Sequence, residues 1–141
     1  MLSVKMKWAG GMKFEGVGSF GHKLVTDSKK EVGGEEAGFR PTELLLFGIA
    51  GCTGIDVVGI LRKQRQDLTA LEIEVIGHQP EHFPKPFTLI EVKFTVRGKG
   101  LNADKLSKAI ELSEAKYCSV SQTVKNEGKV VTSFEILPED E

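Results

Sequence analysis

A chain of 141 residues, 40% hydrophobic and 28% charged, has the length and composition of one soluble globular domain spanning residues 1–141, with material for a real core. A formal net charge of −1 and scattered lysines leave no basic face for phosphate, which argues against nucleic-acid binding. Two cysteines, 66 positions apart, exclude a local CxxC redox motif or zinc knuckle.

The N-terminus, Met1 to Trp8, alternates and has no long apolar stretch of the secretory kind, so the expected address is the cytoplasm. There, two cysteines are more plausible as free, catalytic or transiently paired thiols than as a permanent staple. Residues 4–8, 12–17 and 22–27 have strand character, and glycines at 10–11 and between 18 and 21 separate them. That spacing predicts an antiparallel meander. A polar, Gly-rich connection from Lys29 to Gly38 leads to a long helix. Pro41 suits its first position, where a missing N–H is harmless, and Glu43 suits the positive end of its dipole. The helix is expected to run to about Gln66, with Arg62, Lys63 and Arg65 in the last turn.

Leu44 to Leu61 is 18 residues with one charge, Asp56, close to the minimum for a membrane span. Four glycines and a central aspartate, which costs about 2.5–3.5 kcal/mol on insertion, favour instead a central buried helix of a soluble fold. Gly48 and Gly51 thin its wall and predict close approach by another element. Beyond it, 71–75 and 90–97 alternate strictly, as strands with one buried and one wet face do. His78, Glu81 and His82 lie in or beside a proline-rich loop between them. With no helix to gather them, they read as solvated and not as metal ligands. His22, in a predicted strand, has no evident partner. Asn102 then caps a helix with Leu106, Ala109, Ile110 and Ser113 inside. Ser119 to Gln122 has capping-box spacing and opens a short helix ending near residues 126–128. Val130 to Leu137 reads as a last strand. Strands in runs, with helices between the runs, make this an α+β fold with largely antiparallel sheet.

Cys118 immediately precedes the short helix, where unpaired N–H groups favour a thiolate. Cys52 lies mid-helix and needs help from elsewhere, while Asp56, one turn on, shares its face and opposes ionisation. From the residues alone each cysteine taken singly reads better as core, since free cysteine is among the most buried residue types.

The stretch Gly38 to Val58, with its Pro-x-Glu-Leu-Leu helix start and mid-helix Cys52, resembles the OsmC/Ohr superfamily. Glu114 to Ser121 resembles the second-cysteine motif of those proteins, closest to the less-studied OsmC-like branch. The resemblance covers nearly the whole chain. It implies an intertwined homodimer whose sheets wrap a central pair of Cys-bearing helices. It further implies thiol peroxidase chemistry on small organic hydroperoxides. Cys52 would be the attacking sulfur and Cys118 the resolving one. No bound cofactor is expected, only an external dithiol reductant such as a lipoyl or thioredoxin-like protein. Two departures are plain. The family glutamate ten residues before the first cysteine is Thr42 here, and Glu43 lies about 100° further round the helix. No arginine precedes Arg40, so Arg40, Lys13 or Lys23 would have to serve, with Arg40 and Glu43 as supporting residues. The alternative on the same scaffold is a non-catalytic dimer whose central pocket binds a small hydrophobic or electrophilic ligand.

Overall fold

The computed structural model describes residues 2–125 together with Val131 and Ser133; the strand expected over Val130 to Leu137 lies outside the described residues. The first three strands are β1 (Lys5–Trp8), β2 (Phe14–Val17) and β3 (Lys23–Thr26), and they pair antiparallel in the order β1-β2-β3. The meander is therefore as predicted, with Lys5 opposite Val17 and Phe14 opposite Thr26. His22 falls just before β3 and is exposed.

Asp27, at the end of β3, is a feature the sequence did not announce. It is only 2% exposed, yet it is charged. Its carboxylate accepts the N–H groups of Ser28 at 2.8 Å and of Glu35 and Ala37 at 3.1 Å each. Burial alone would raise its pKa, but these three donors and the charge of Lys13 outweigh it, and the pKa falls below the usual value. The Asp27 and Phe39 backbones also bond across, which draws the Gly-rich connection alongside β3. Gly38 is required there: a Cβ would come within 2.4 Å of the Val25 carbonyl oxygen. The polar connection is thus a folded strap that delivers the chain to the helix start.

Helix α1 (Pro41–Lys63) begins at Arg40, whose N–H is held by the Glu43 carboxylate at 2.8 Å, with Pro41 in the first turn. It ends three residues before the expected Gln66. Arg65 takes a left-handed conformation, φ 55°, and the N–H groups of Arg65 and Gln66 bond back to the carbonyls of Arg62 and Leu61. This is a Schellman closure with arginine where glycine is usual. The helix is long and apolar enough to cross a membrane by length and composition. Its buried residues, Ile49, Thr53, Val57 and Leu61, recur every fourth position and face the fold. Val57 and Leu61 make the centre of the core with Ala109, joined by Leu68, Leu71, Phe94, Leu106 and Ile110.

The long strands β4 (Asp67–His78) and β5 (Leu89–Lys99) form a separate antiparallel pair against α1. Both run further than their strictly alternating centres, and a register shift between Leu68 and Ala70 explains why the first residues of β4 break the alternation. His78 ends β4 and meets Glu91 at 2.6 Å, and His82 is exposed, so the histidines do not converge on a metal site. Helix α2 (Ala103–Leu112) starts at Asn102, whose side chain accepts the Lys105 N–H as predicted. A π turn over Ser113–Tyr117 and helix α3 (Ser119–Lys125) complete the described chain.

Because its folded pKa is depressed, Asp27 contributes stability that is present above its unfolded pKa of about 3.9 and is lost as pH falls below that. Asp27→Asn is therefore expected to be less stable than wild type near pH 7, with the difference shrinking below about pH 4. Denaturation with urea across that range checks it; a difference independent of pH would remove the charge from the explanation.

Candidate functional site

The site is built where α1 meets the π turn and the start of α3. Cys52 and Asp56 lie one turn apart on α1, and Cys118 arrives between the π turn and α3. The two sulfurs and a carboxylate oxygen of Asp56 all lie within 4.8 Å of one another. Both thiols are free; Cys52 is half-buried and Cys118 fully buried. The distant cysteines are thus a spatial pair, and Asp56 stands with them, as its spacing from Cys52 predicted.

Ser113 holds this arrangement in place. Its hydroxyl donates to Asp56 Oδ2 at 2.8 Å. A hydroxyl carries one proton, so the 2.8 Å contact between Thr53 Oγ1 and Ser113 Oγ has Thr53 donating. The result is a relay from Thr53 through Ser113 to Asp56. The carbonyl of Ser113 also accepts the Cys118 N–H at 2.7 Å, which closes the π turn. Turns of this type insert an extra residue into a helix and redirect the chain beyond it. Here the redirection turns Cys118 toward α1.

The capping of α3 differs from the expectation. Ser119 lies inside the helix, and the cap is Cys118: its sulfur accepts the Ser121 N–H at 3.4 Å. Gln122, expected to complete a capping box, instead donates to the Glu114 carbonyl at 2.9 Å. The sequence pattern was displaced by one residue because the π turn brings Cys118 itself to the open N–H groups.

These contacts separate the two thiols. Burial opposes ionisation of Cys118 most strongly. Hydrogen bonds from the Ser121 hydroxyl, the Ser121 N–H and the Cys52 thiol outweigh that, and the pKa falls below the ordinary thiol value despite the Asp56 charge. Burial pushes the Cys52 thiol up, and the neighbouring Cys118 adds to it; the Val120 and Ser119 N–H groups pull the other way without prevailing. Cys118 is therefore the more acidic thiol of the pair.

The supporting cations are not brought to the sulfurs within this chain. Arg40 and Glu43 close the N-terminus of α1 and line a groove with Asp27 and Ser28. Glu43 is nine positions before Cys52, about 13 Å along the helix axis. Lys13 pairs with Glu35 at 2.9 Å, and Lys23 lies beside another groove with Phe39. Beside the cysteines opens a cleft of about 390 Å³, lined by Ile49 and Thr53 of α1, Phe94 of β5, Ile110 of α2, and Ser121 and Val124 of α3. Aliphatic and aromatic side chains share its walls with Thr88, Glu114 and Lys125. The carboxylate and hydroxyl beside the sulfurs were legible only in part: Asp56 by its spacing, Ser113 as an inward helix position, and the relay between them not at all.

Two antiparallel sheets, a long cysteine-bearing helix and a second cysteine folded back on the first define a class. The family model described as OsmC-like protein matches residues 33–133, and the chain belongs to that family. Protein YhfA of Escherichia coli strain K12 is 33% identical over 136 residues, covering 96% of this chain and 98% of that protein. A hypothetical protein from Aquifex aeolicus VF5 has a solved structure similar to this one, with a TM-score of 0.78 and 34% identity over 89% of this chain and 87% of that one. An organic hydroperoxide resistance protein OsmC from Legionella pneumophila shares the fold, with a TM-score of 0.65 at 18% identity over 89% of each chain.

Ser113→Ala deletes the middle of the relay and leaves the buried Thr53 hydroxyl without its acceptor. A loss of about 1–3 kcal/mol is expected, read from urea denaturation. A loss below about 0.5 kcal/mol, the level of an ordinary surface change, would mean the relay does not hold α1 to the π turn.

Proposed function

We propose that this protein is a thiol-dependent peroxidase that reduces organic hydroperoxides with Cys52 and Cys118. One observation carries the reading: a half-buried and a fully buried thiol meet within 4.8 Å beside a cleft of mixed apolar and polar lining, although 66 residues separate them. Cys52 is the sulfur open to an incoming molecule. Cys52 loses its proton to solvent, and the Cys52 thiolate attacks the distal peroxide oxygen. The O–O bond breaks, the alkoxide takes a proton to leave as an alcohol, and Cys52 becomes a sulfenic acid. Cys118 then attacks that sulfur, water departs, and a disulfide forms, which an external dithiol reopens. The apolar part of the cleft wall, Ile49, Phe94, Ile110 and Val124 among it, favours an organic peroxide over hydrogen peroxide. The proposed setting is the cytoplasm, and no bound cofactor takes part.

The homodimer belongs to the same proposal. Phe47, Gly51, Ile55 and Gly59 form a second stripe on α1, about 200° from the buried one. Phe47 and Ile55 are 56% and 75% exposed, and a Cβ at Gly51 or Gly59 would meet nothing within 4 Å. A helix apolar on both sides needs cover on both. The helix of a second copy fits a stripe that alternates large and absent side chains. On this reading Ile55→Arg converts the dimer to a monomer in sedimentation; wild-type protein that sediments as a monomer would remove the dimer.

The non-catalytic alternative, a dimer that binds a small hydrophobic or electrophilic ligand, draws on the raised Cys52 pKa and the distance of Arg40 and Glu43 from the sulfurs. One experiment separates the two readings. Reduced protein is titrated with an organic hydroperoxide and with hydrogen peroxide and followed by intact mass and peptide mapping. A Cys52–Cys118 disulfide at near one equivalent, faster with the organic peroxide, is expected. Cys118→Ser should stop at a Cys52 sulfenic acid that a dione reagent traps. Thiols that stay reduced would sink the peroxidase reading, and a trapped sulfenic acid on Cys118 in Cys52→Ser, formed at the wild-type rate, would reverse the two roles.

A further inference from the structure

We propose that the reduced form of this site binds one divalent zinc-like cation through Cys52 Sγ, Cys118 Sγ and Asp56 Oδ, with a fourth position left open. Three different groups converge here: two thiols and one carboxylate, each atom within 4.8 Å of the others. A zinc ion holds sulfur at about 2.3 Å and oxygen at about 2.0–2.2 Å, so tetrahedral ligands sit roughly 3.5–3.8 Å apart. Cys52 and Asp56 are spaced i and i+4 on α1, the spacing by which a helix presents two ligands on one face.

The surroundings are built as a ligand set needs. The Ser113 hydroxyl orients the Asp56 carboxylate at 2.8 Å and is itself fixed by Thr53. The Ser121 N–H holds the Cys118 sulfur at 3.4 Å. Such outer contacts fix ligand direction and are normal companions of a metal ligand. The charge balance points the same way. A carboxylate stands beside two ionisable sulfurs, and none of the ion pairs among the described residues, Lys13–Glu35, His78–Glu91 and the cleft-lining Lys125–Glu114, includes Asp56. A divalent cation turns that unbalanced group into a complex of net charge −1, with the two thiol protons released to solvent. Two thiolates select zinc, cobalt or copper(I) over magnesium or calcium. Three protein ligands leave zinc with the open position typical of reactive, not purely structural, sites.

The inference does not depend on peroxide reduction. It does give the two sulfurs a second state: a disulfide offers no thiolate, so oxidation and metal binding exclude each other.

The test uses the full chain, reduced and anaerobic, with cobalt(II) as the probe and no peroxide. One equivalent per chain is expected to give sulfur-to-cobalt charge-transfer absorption that zinc(II) bleaches by displacement. Cys52→Ser should lose that absorption, and Asp56→Asn should weaken binding at least about tenfold. Zinc protection of wild-type thiols against iodoacetamide, mapped by peptide mass, supplies a readout that needs no variant: both Cys52 and Cys118 should be shielded. Absence of the absorption in wild type, wild-type affinity in Asp56→Asn, or thiols alkylated as fast with zinc as without would each overturn the proposal. Peroxide titration of metal-free protein reads the peroxidase chemistry separately, so the failure of one is distinguishable from the failure of the other.

Discussion

Ser113 ties the site together, because its hydroxyl bonds to α1 and its carbonyl to the Cys118 N–H. It is wholly buried, and it gives its proton to Asp56 while taking one from Thr53. The same residue's carbonyl fixes the Cys118 N–H. Without that node, α1 and α2 would still pack through Val57, Leu61 and Ala109, but packing is non-directional and does not aim the π turn that follows. Hydrogen bonds in a buried setting supply the direction. The meeting of the sulfurs is thus a polar specification laid on an apolar core.

The two halves of the chain contribute differently. In the N-terminal half, Asp27 gathers three N–H groups and folds a Gly-rich strap beside β3, so that α1 starts at a defined place. In the C-terminal half, the β4–β5 pair covers one side of α1 and leaves a cleft at the end nearest α3. Electrostatically the site is unusual for thiolate chemistry. The groups that lower a thiol pKa are hydrogen-bond donors, and the nearby full charge, Asp56, acts against the thiolate. Dipoles do here what a cation does more commonly.

Most of the element order was legible because period and punctuation agree. The meander, the Pro41 helix start, the Asn102 cap and the alternating centres of β4 and β5 each come from local chemistry. The features that escaped were non-local. The stop of α1 at Lys63 rests on Arg65 adopting a left-handed turn that nothing in its side chain favours. The start of α3 moved by one residue because the π turn, set by Ser113, offers a sulfur where the sequence offers a serine. Asp27 was only the last residue of a predicted strand, since its three partners lie one, eight and ten positions away. Both cysteines and Asp56 were visible as residues, whereas their convergence needed the path of the chain between them.

The cap of α3 has an implication for why sulfur is there at all. A hydroxyl or carboxylate oxygen ends a helix better than a thiol, because oxygen is the stronger hydrogen-bond acceptor. Serine is nearly the same shape and would satisfy the Ser121 N–H at shorter range. Folding by itself therefore prefers serine at position 118, and the chain forgoes that gain. Ending the helix is therefore no account of the sulfur at position 118, whose other close partners are Cys52 and Asp56.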